Sequence, residues 1–476
     1  MKIAHSEINC AVICFRFISA VDFSELYMFY EKKMKQGYSY RRIWEVSYPI
    51  FLGLLAQNII NVTDTAFLGR VGEVELGASA MGGLFYICVF TIAFGFSTGS
   101  QIMIARRNGE REFTEIGPIM MQGCAFLLAL SVLLFGSTKA LAPAIMRFIV
   151  SSDAIYTASL SYLSWRIFGF LFSGLNVMFR AFYVGITRTK VLTLGSIIMA
   201  TVNVWLDYGL IFGRLGLPQW GLEGAAIASV IAEACCTLFF LLFSRLGLDY
   251  KKYGLNRFRI ADWRLLERVL NISSFTMLQY FLSMSTFFTF FIAVEKLGEA
   301  PLAIANIVRS IYIVLLIPVQ SLSTCANTLV SNLIGEGGIR NVMHLLWRIS
   351  RMSFMIIVGC VFLVALFPQA ILSIYTNEVS LIVEAVPSLY TILVAMLVAS
   401  LAMTYFGGIS GTGNTQAALY IEGGTLIIYT AYVLITGLWL KIPVEWCFAC
   451  EVIYYALMFA ASVIYLKKVK WQNKKI

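Results

Sequence analysis

Residues 48–83 read YPIFLGLLAQNIINVTDTAFLGRVGEVELGASAMGG, and a second apolar run follows them to ARRNGE at residues 105–110. The stretch is a hydrophobic helix with one carboxylate, Asp64, in its outer half, then a short turn between Gly69 and Gly77, then another hydrophobic helix closed by Arg106 and Arg107. On insertion scales an aspartate at the centre of a membrane helix lies about 2.5–3.5 kcal/mol uphill, so an acid inside such a run marks a site.

The chain repeats this stretch. An ungapped shift of 226 residues, set by aligning Gly72 with Gly298, pairs Glu73 with Glu299, Leu76 with Leu302, Thr98 with Thr324 and Gly109-Glu110 with Gly335-Glu336. The same register pairs Ala144-Ile145 with Ala370-Ile371, Gly185 with Gly411, Thr189 with Thr415 and Trp220 with Trp446. A single register held over that span means two homologous halves built of hydrophobic helices.

Of the 476 residues 59% are hydrophobic and 13% charged, with a mean hydropathy of +0.80, which describes a polytopic membrane protein and not soluble domains. The formal net charge of +10 does not point to nucleic acid, because Lys and Arg fall in the short segments between apolar runs and form no basic face interleaved with aromatics. Ten cysteines are scattered, mostly through apolar runs, the lone C-x-x-C (Cys447, Cys450) included, and read as buried, reduced thiols. The chain has two histidines, His5 and His344, and no H-E-x-x-H, G-x-S-x-G or metal cluster, which argues against an enzyme.

Apolar runs of about 20 residues fall near 44–66, 79–104, 116–138, 156–180, 191–213 and 221–243, and again near 267–292, 303–329, 343–367, 382–405, 418–438 and 444–466. The expected fold is all-α integral membrane: twelve transmembrane helices in two homologous six-helix lobes. Lys and Arg crowd one side (Arg41, Arg42, Arg106, Arg107, Arg188, Lys190, the cluster Arg245–Arg268 and the tail), so both termini are expected in the cytoplasm. The parts are then an N-terminal cytoplasmic segment (1–40), an N-lobe (41–244), a cytoplasmic linker (245–266), a C-lobe (267–466) and a basic cytoplasmic tail (467–476). An even number of helices per half makes the repeat parallel, related by an axis along the membrane normal, with a site expected between the lobes near the midplane.

Polar residues inside the spans are few. Asp64 is flanked by Asn58, Asn61 and Thr63, while Asn203 and Asp207 in the fifth span are spaced i, i+4 and share a face. Asn176 in the fourth span offers a further amide. If these faces converge, the N-lobe holds two carboxylates and their amides in an apolar surround, which suits proton uptake or a small hard cation such as sodium. At the 226-residue shift Phe290 stands opposite Asp64, Tyr429 opposite Asn203 and Val433 opposite Asp207. The acidic set exists in one half only, which favours function over a structural demand of the fold. Glu384, Glu422 and Glu451 lie in or near spans of the second half, with Arg166 and Arg309 as counterion candidates; Glu422 is the cleft candidate among them.

Pro49 with DTAFLGRVG (64–72), its partner EKLG (295–298), Arg180 with GITRTK (185–190), and NVWLDYGLIFG (203–213) followed by GLEGAA (221–226) occur in an order that resembles the MATE (multidrug and toxic compound extrusion) family, in its DinF-like branch. The resemblance covers essentially residues 40–466. It implies a twelve-helix, two-lobed exporter driven by proton or sodium influx, with an N-lobe cation site that maps onto Asp64, Asn203, Asp207 and Asn176. Phe290 at the seventh-span position argues against a matching C-lobe site. The expected function is a secondary active antiporter of the inner membrane exporting amphipathic, cationic drugs or metabolites, with Asn61 and Glu422 as further binding residues. It is expected to act as a monomer among membrane lipids, without cofactor or nucleic acid. The rival is a flippase for a lipid-linked precursor, which should carry several cleft cations where this chain has only Arg166, Arg180 and Arg309.

Residues 8–21 are apolar but interrupted by Arg16, too short to span, and lack a small-residue cleavage site, so no cleavable signal peptide is expected. MKQGYSYRRIWEVSYPI, from Met34, reads as a natural start to the first helix. Translation is expected to begin at Met28 or Met34; N-terminal sequencing of the native protein checks this, and a chain starting at Met1 would refute it.

Overall fold

A computed structural model describes residues 38–150, 152–256, 262–376, 378–469 and 471–473; the candidate starts Met28 and Met34 lie outside them. Among the described residues eleven helices are long and apolar enough to cross a membrane, twelve when one bent pair is taken as a single span. The first half consists of α1 (Tyr40–Leu68), α2 (Glu73–Glu110), α3 (Ile116–Ile149), the bent pair α4 (Asp153–Arg166) and α5 (Gly169–Gly185), α6 (Lys190–Phe212) and α7 (Gly221–Gly247). The second half consists of α8 (Trp263–Glu295), α9 (Glu299–Gly335), α10 (Val342–Leu366), the short α11 (Pro368–Leu372), α12 (Val379–Gly411), α13 (Thr415–Leu434) and α14 (Val444–Lys468).

Local chemistry sets the ends. Ser39, Ser152 and Asp262 cap α1, α4 and α8 by accepting from backbone N–H groups of the first turn. Glu73 and Glu75 lie in the first turn of α2, where the helix dipole favours them. Pro49 removes one N–H inside α1 and so frees the carbonyl of Glu45, which accepts from the Thr189 hydroxyl at 3.4 Å. The eight cysteines among the described residues are all free.

The repeat shows in the helices themselves. Shifted by 226 residues, Asp153–Gly185 lands on 379–411, the limits of α12, yet α12 is one continuous helix while α4 and α5 meet at 55°. An unbroken fourth span was the expectation. The break places Arg166 beside Glu233, and Gly169 follows because a Cβ there would collide with both side chains of that pair; the repeat partners are Ile392 and Ala395.

The halves meet at the Lys/Arg-rich end. Residues of α2 beyond Ala93 and of α9 from Ile304 to Leu333 are largely buried, with α2 packed on both α8 and α9 of the other half. Asn108 donates to the Asn332 side chain at 2.6 Å, Gln101 to Thr328 at 2.9 Å, and Tyr38 to Glu336 at 3.0 Å. Gly109 and Gly335 are repeat partners at this junction. A Cβ at 109 would strike the Asn332 carbonyl, and one at 335 would strike the Arg106 carbonyl, so the two helix ends touch backbone to backbone. Gly109→Val should therefore lower unfolding free energy by about 1–3 kcal/mol, read as a lower Tm of the detergent-purified protein; an unchanged Tm would show that the ends do not touch.

Candidate functional site

Inside the N-lobe, α1, α2, α4, α6 and α7 enclose a cavity of about 400 Å³ whose wall includes Asn61, Asp64, Tyr86, Arg166, Asn203, Ser229 and Glu233. Asp64 is half-buried at its edge, Asn203 is 1% exposed, and Asp207 stands behind them at 0%. One helical turn separates Asn203 and Asp207 on α6, so both face α1. The Asp64 and Asp207 carboxyl groups lie within hydrogen-bond range of one another. Two carboxylates that close in an apolar surround repel one another unless a proton or another cation sits with them. Asp64 Oδ1, both Asp207 oxygens and Asn203 Oδ1 are buried and accept from no donor among the described residues. Asn203 Nδ2 donates to Ser229 Oγ at 3.4 Å, which leaves its oxygen without a partner. Four buried oxygens without donors form an environment that a proton or a small cation would satisfy, and that repels an anion.

Asn176 does not reach this cavity. Its Nδ2 donates to the Glu233 carbonyl at 2.9 Å and its Oδ1 accepts from Thr237 at 2.9 Å, so both ends of the amide are used in holding α5 against α7. Asn61 lines the cavity mouth, exposed.

The same cavity holds a buried ion pair with no signal in the spacing of the chain. Arg166 donates to the Glu233 carboxylate through both terminal nitrogens, at 2.6 and 3.1 Å, and its guanidinium lies 3.9 Å over the Tyr86 ring. The partners are 67 residues apart, so only the rule that intramembrane charges of opposite sign seek each other could have joined them. Arg166 is thus the partner of an N-lobe acid and not of one in the second half.

The C-lobe fills the equivalent space differently. Gly83 and Ala225 line the N-lobe cavity, and at the 226-residue shift they become Arg309 and Glu451, whose side chains meet at 2.5 Å, each 5% exposed. Glu451 also accepts from Tyr312 at 3.1 Å and Tyr429 at 3.3 Å, and Arg309 lies 4.2 Å over Phe287 and 5.1 Å over Phe290. Phe287, Phe290, Tyr429 and Tyr455 replace Asn61, Asp64, Asn203 and Ser229. This cluster forms one wall of a second cavity of about 420 Å³, which reaches between the lobes to Thr91, Phe94, Thr98, Gln101 and Arg180. Glu422 lies on that wall, accepting from the hydroxyls of Ser283 and of Tyr454.

A family profile, MatE, matches residues 49–209 and 276–436. The chain belongs to the MatE family. The two matched segments take the same five spans from each lobe and begin one residue off the register of 226. A probable multidrug resistance protein NorM from Agrobacterium fabrum is 28% identical over 62% of the chain; the match spans 64% of that relative's length. The fold is similar to an outward-facing multidrug resistance MATE transporter (TM-score 0.83, 16% identity, 91% of this chain and 96% of that one) and to a MOP superfamily transporter from Pyrococcus furiosus (TM-score 0.82, 17% identity, 90% and 96%). This MatE protein is therefore a multi-pass membrane protein of a transporter family, not of an enzyme family. Its curated relatives carry the name NorM, so the matches support the family without singling out a DinF-like branch, and they lend no support to the flippase alternative.

In this MatE protein the Arg166–Glu233 pair should hold α4, α5 and α7 together. Arg166→Met leaves Glu233 charged and uncompensated, and should cost about 3–5 kcal/mol of stability, whereas Arg166→Met with Glu233→Met should recover most of it. Thermal unfolding in detergent reads both; equal losses in the single and double variants would mean that packing, not charge, is at stake.

Proposed function

We propose that this chain is a secondary active antiporter that exports amphipathic organic compounds through the inter-lobe cavity, driven by inward proton or sodium flow through the N-lobe cavity. What carries the reading is the set of four buried oxygens on Asp64, Asp207 and Asn203 that no donor answers. The cation is cargo, held in transit. Arrival of one positive charge between Asp64 and Asp207 removes their mutual repulsion and lets α1 and α6 draw together; its departure restores the repulsion. Two packings of the N-lobe then differ in affinity for the cation, and each tenfold difference supplies about 1.4 kcal/mol of bias.

The geometry also supplies a path for coupling. The same α2 gives Leu76 to Ile87 to the ion cavity and Thr91 to Gln101 to the inter-lobe cavity, so about one helical turn separates the two linings. The seal of α2 against α9 lies at the Lys/Arg-rich end, which the charge asymmetry assigns to the cytoplasm of the inner membrane, so the inter-lobe cavity belongs to an outward-open state. A monomer contains both cavities.

Export of ethidium from proteoliposomes under a proton gradient and, separately, a sodium gradient tests the reading. One gradient should drive transport, and Asp64→Asn or Asp207→Asn should lower the rate at least about 100-fold while membrane insertion persists, as expected of a group acting in the transported step. Undiminished export by either variant would refute the assignment.

A further inference from the structure

Between the C-terminal half of α3 and the α4–α5 joint lies a third cavity, of about 240 Å³, none of whose wall residues lines the two already described. Its inner end is apolar: Phe135 and Phe168 meet edge to face at 5.1 Å, with Leu163 and Ile167 buried beside them. Its mouth lies on the outside of the helix bundle, where Lys139, Pro143, Ser164 and Phe168 are exposed. Polar groups in this wall are left over. Thr138 is 3% exposed, and its hydroxyl has no hydrogen-bond partner among the described residues. Pro143 has no N–H, so the Lys139 carbonyl loses its i+4 donor within α3. The exposed Lys139 ammonium pairs with no carboxylate among the described residues. Lys139 is 23 residues beyond Ile116, the first residue of α3. That is about 34 Å along the helix, more than the ~30 Å of a hydrocarbon core, so its charge lies at headgroup level in the leaflet away from the Lys/Arg-rich end.

The other half shows what such a gap requires. At the 226-residue shift Thr138, Lys139 and Ser164 become Val364, Ala365 and Tyr390, and the Tyr390 hydroxyl donates to the Ala365 carbonyl at 3.4 Å. The C-lobe thus places a ring in the corresponding gap, gives the corresponding carbonyl a donor, and has no cation there. In the N-lobe Ser164 turns its hydroxyl back to the Ser161 carbonyl at 2.7 Å and is too short to cross.

We propose that this crevice binds one anionic phospholipid with a glycerol headgroup, its phosphate on the Lys139 ammonium, its headgroup hydroxyls at the Thr138 hydroxyl and the Lys139 carbonyl, and the upper part of an acyl chain over Phe135 and Phe168. Such a lipid supplies what Tyr390 supplies in the C-lobe, a donor and an apolar filler, and adds the negative charge that answers Lys139. It sits between α3 on one side and, on the other, Ser164 and Phe168, which flank the 55° bend. A bound lipid therefore braces the joint.

The test titrates the delipidated full chain in detergent with phosphatidylglycerol or with phosphatidylcholine of the same acyl chains, and counts bound lipid by native mass spectrometry. The first phosphatidylglycerol should bind at least about tenfold more tightly than the first phosphatidylcholine, as a charge-assisted pair warrants. Lys139→Gln should remove most of that preference. Ser164→Tyr, which copies the C-lobe, should block the first lipid of either kind. Lys441→Gln, in the turn before α14 at the same face of the membrane, should change nothing. Phosphatidylglycerol should also raise the Tm of the wild-type protein and leave that of Ser164→Tyr unmoved. Equal binding of the two lipids, a preference that survives Lys139→Gln intact, or one lost equally in Lys441→Gln overturns the proposal. So does undiminished phosphatidylglycerol binding by Ser164→Tyr. None of these readouts involves export, so the outcome is independent of the antiport reading.

Discussion

A charge inside a membrane protein must be answered, and in this molecule the interior charges are answered in more than one way. Arg166 and Glu233 answer each other across two helices, and so do Arg309 and Glu451. Asp64 and Asp207 face one another with no donor between them. The first two arrangements are complete as they stand, because each buried carboxylate has a guanidinium in contact. The third is complete only when a positive charge visits. That difference separates the charges that hold the fold together from those that the proposed antiport gives to a cation, and the helices follow the former: α4 ends at a 55° bend and residue 169 is Gly where Arg166 meets Glu233.

The two halves make the same point by comparison. They share helix limits to within a few residues, yet the space that Gly83 and Ala225 leave open in the N-lobe is taken in the C-lobe by Arg309 and Glu451. Arg309 on α9 brings a permanent positive charge into that space, paired with Glu451. Rings at 287, 290, 429 and 455 close around it where the N-lobe has Asn61, Asp64, Asn203 and Ser229. At the positions of Asp64, Asn203 and Asp207 the C-lobe thus has Phe290, Tyr429 and Val433, and none of them is a carboxylate.

Most of the architecture was legible in the chain because hydropathy and a strict repeat are global signals: every span was anticipated, and the register of 226 carries over to the helix limits. The convergence of Asp64, Asn203 and Asp207 was legible for a local reason, since Asn203 and Asp207 are one turn apart and Asp64 is the one acid in the outer half of its run. What escaped depends on rotation about a helix axis. Asn176 sits on a span that bends by 55°, and after the bend its amide faces Glu233 and Thr237. The Arg166–Glu233 pair joins residues from different spans, and nothing in their own surroundings names the partner. Gly169 is one of 36 glycines, and its necessity appears only when both side chains of that pair are in place.

These features converge on α2. Its first half lines the ion cavity, its middle lines the inter-lobe cavity, and its last turns are locked to α9 through Asn108, Gly109 and the carbonyl of Arg106. A continuous helix of 38 residues with no proline or break carries displacement along its length better than a jointed one. By contrast α4 and α5 are jointed where they pass the same two cavities, with Arg166 at the joint and Arg180 beyond it. A change of charge at Asp64 thus meets one rigid element and one hinged element, both ending at the inter-lobe wall.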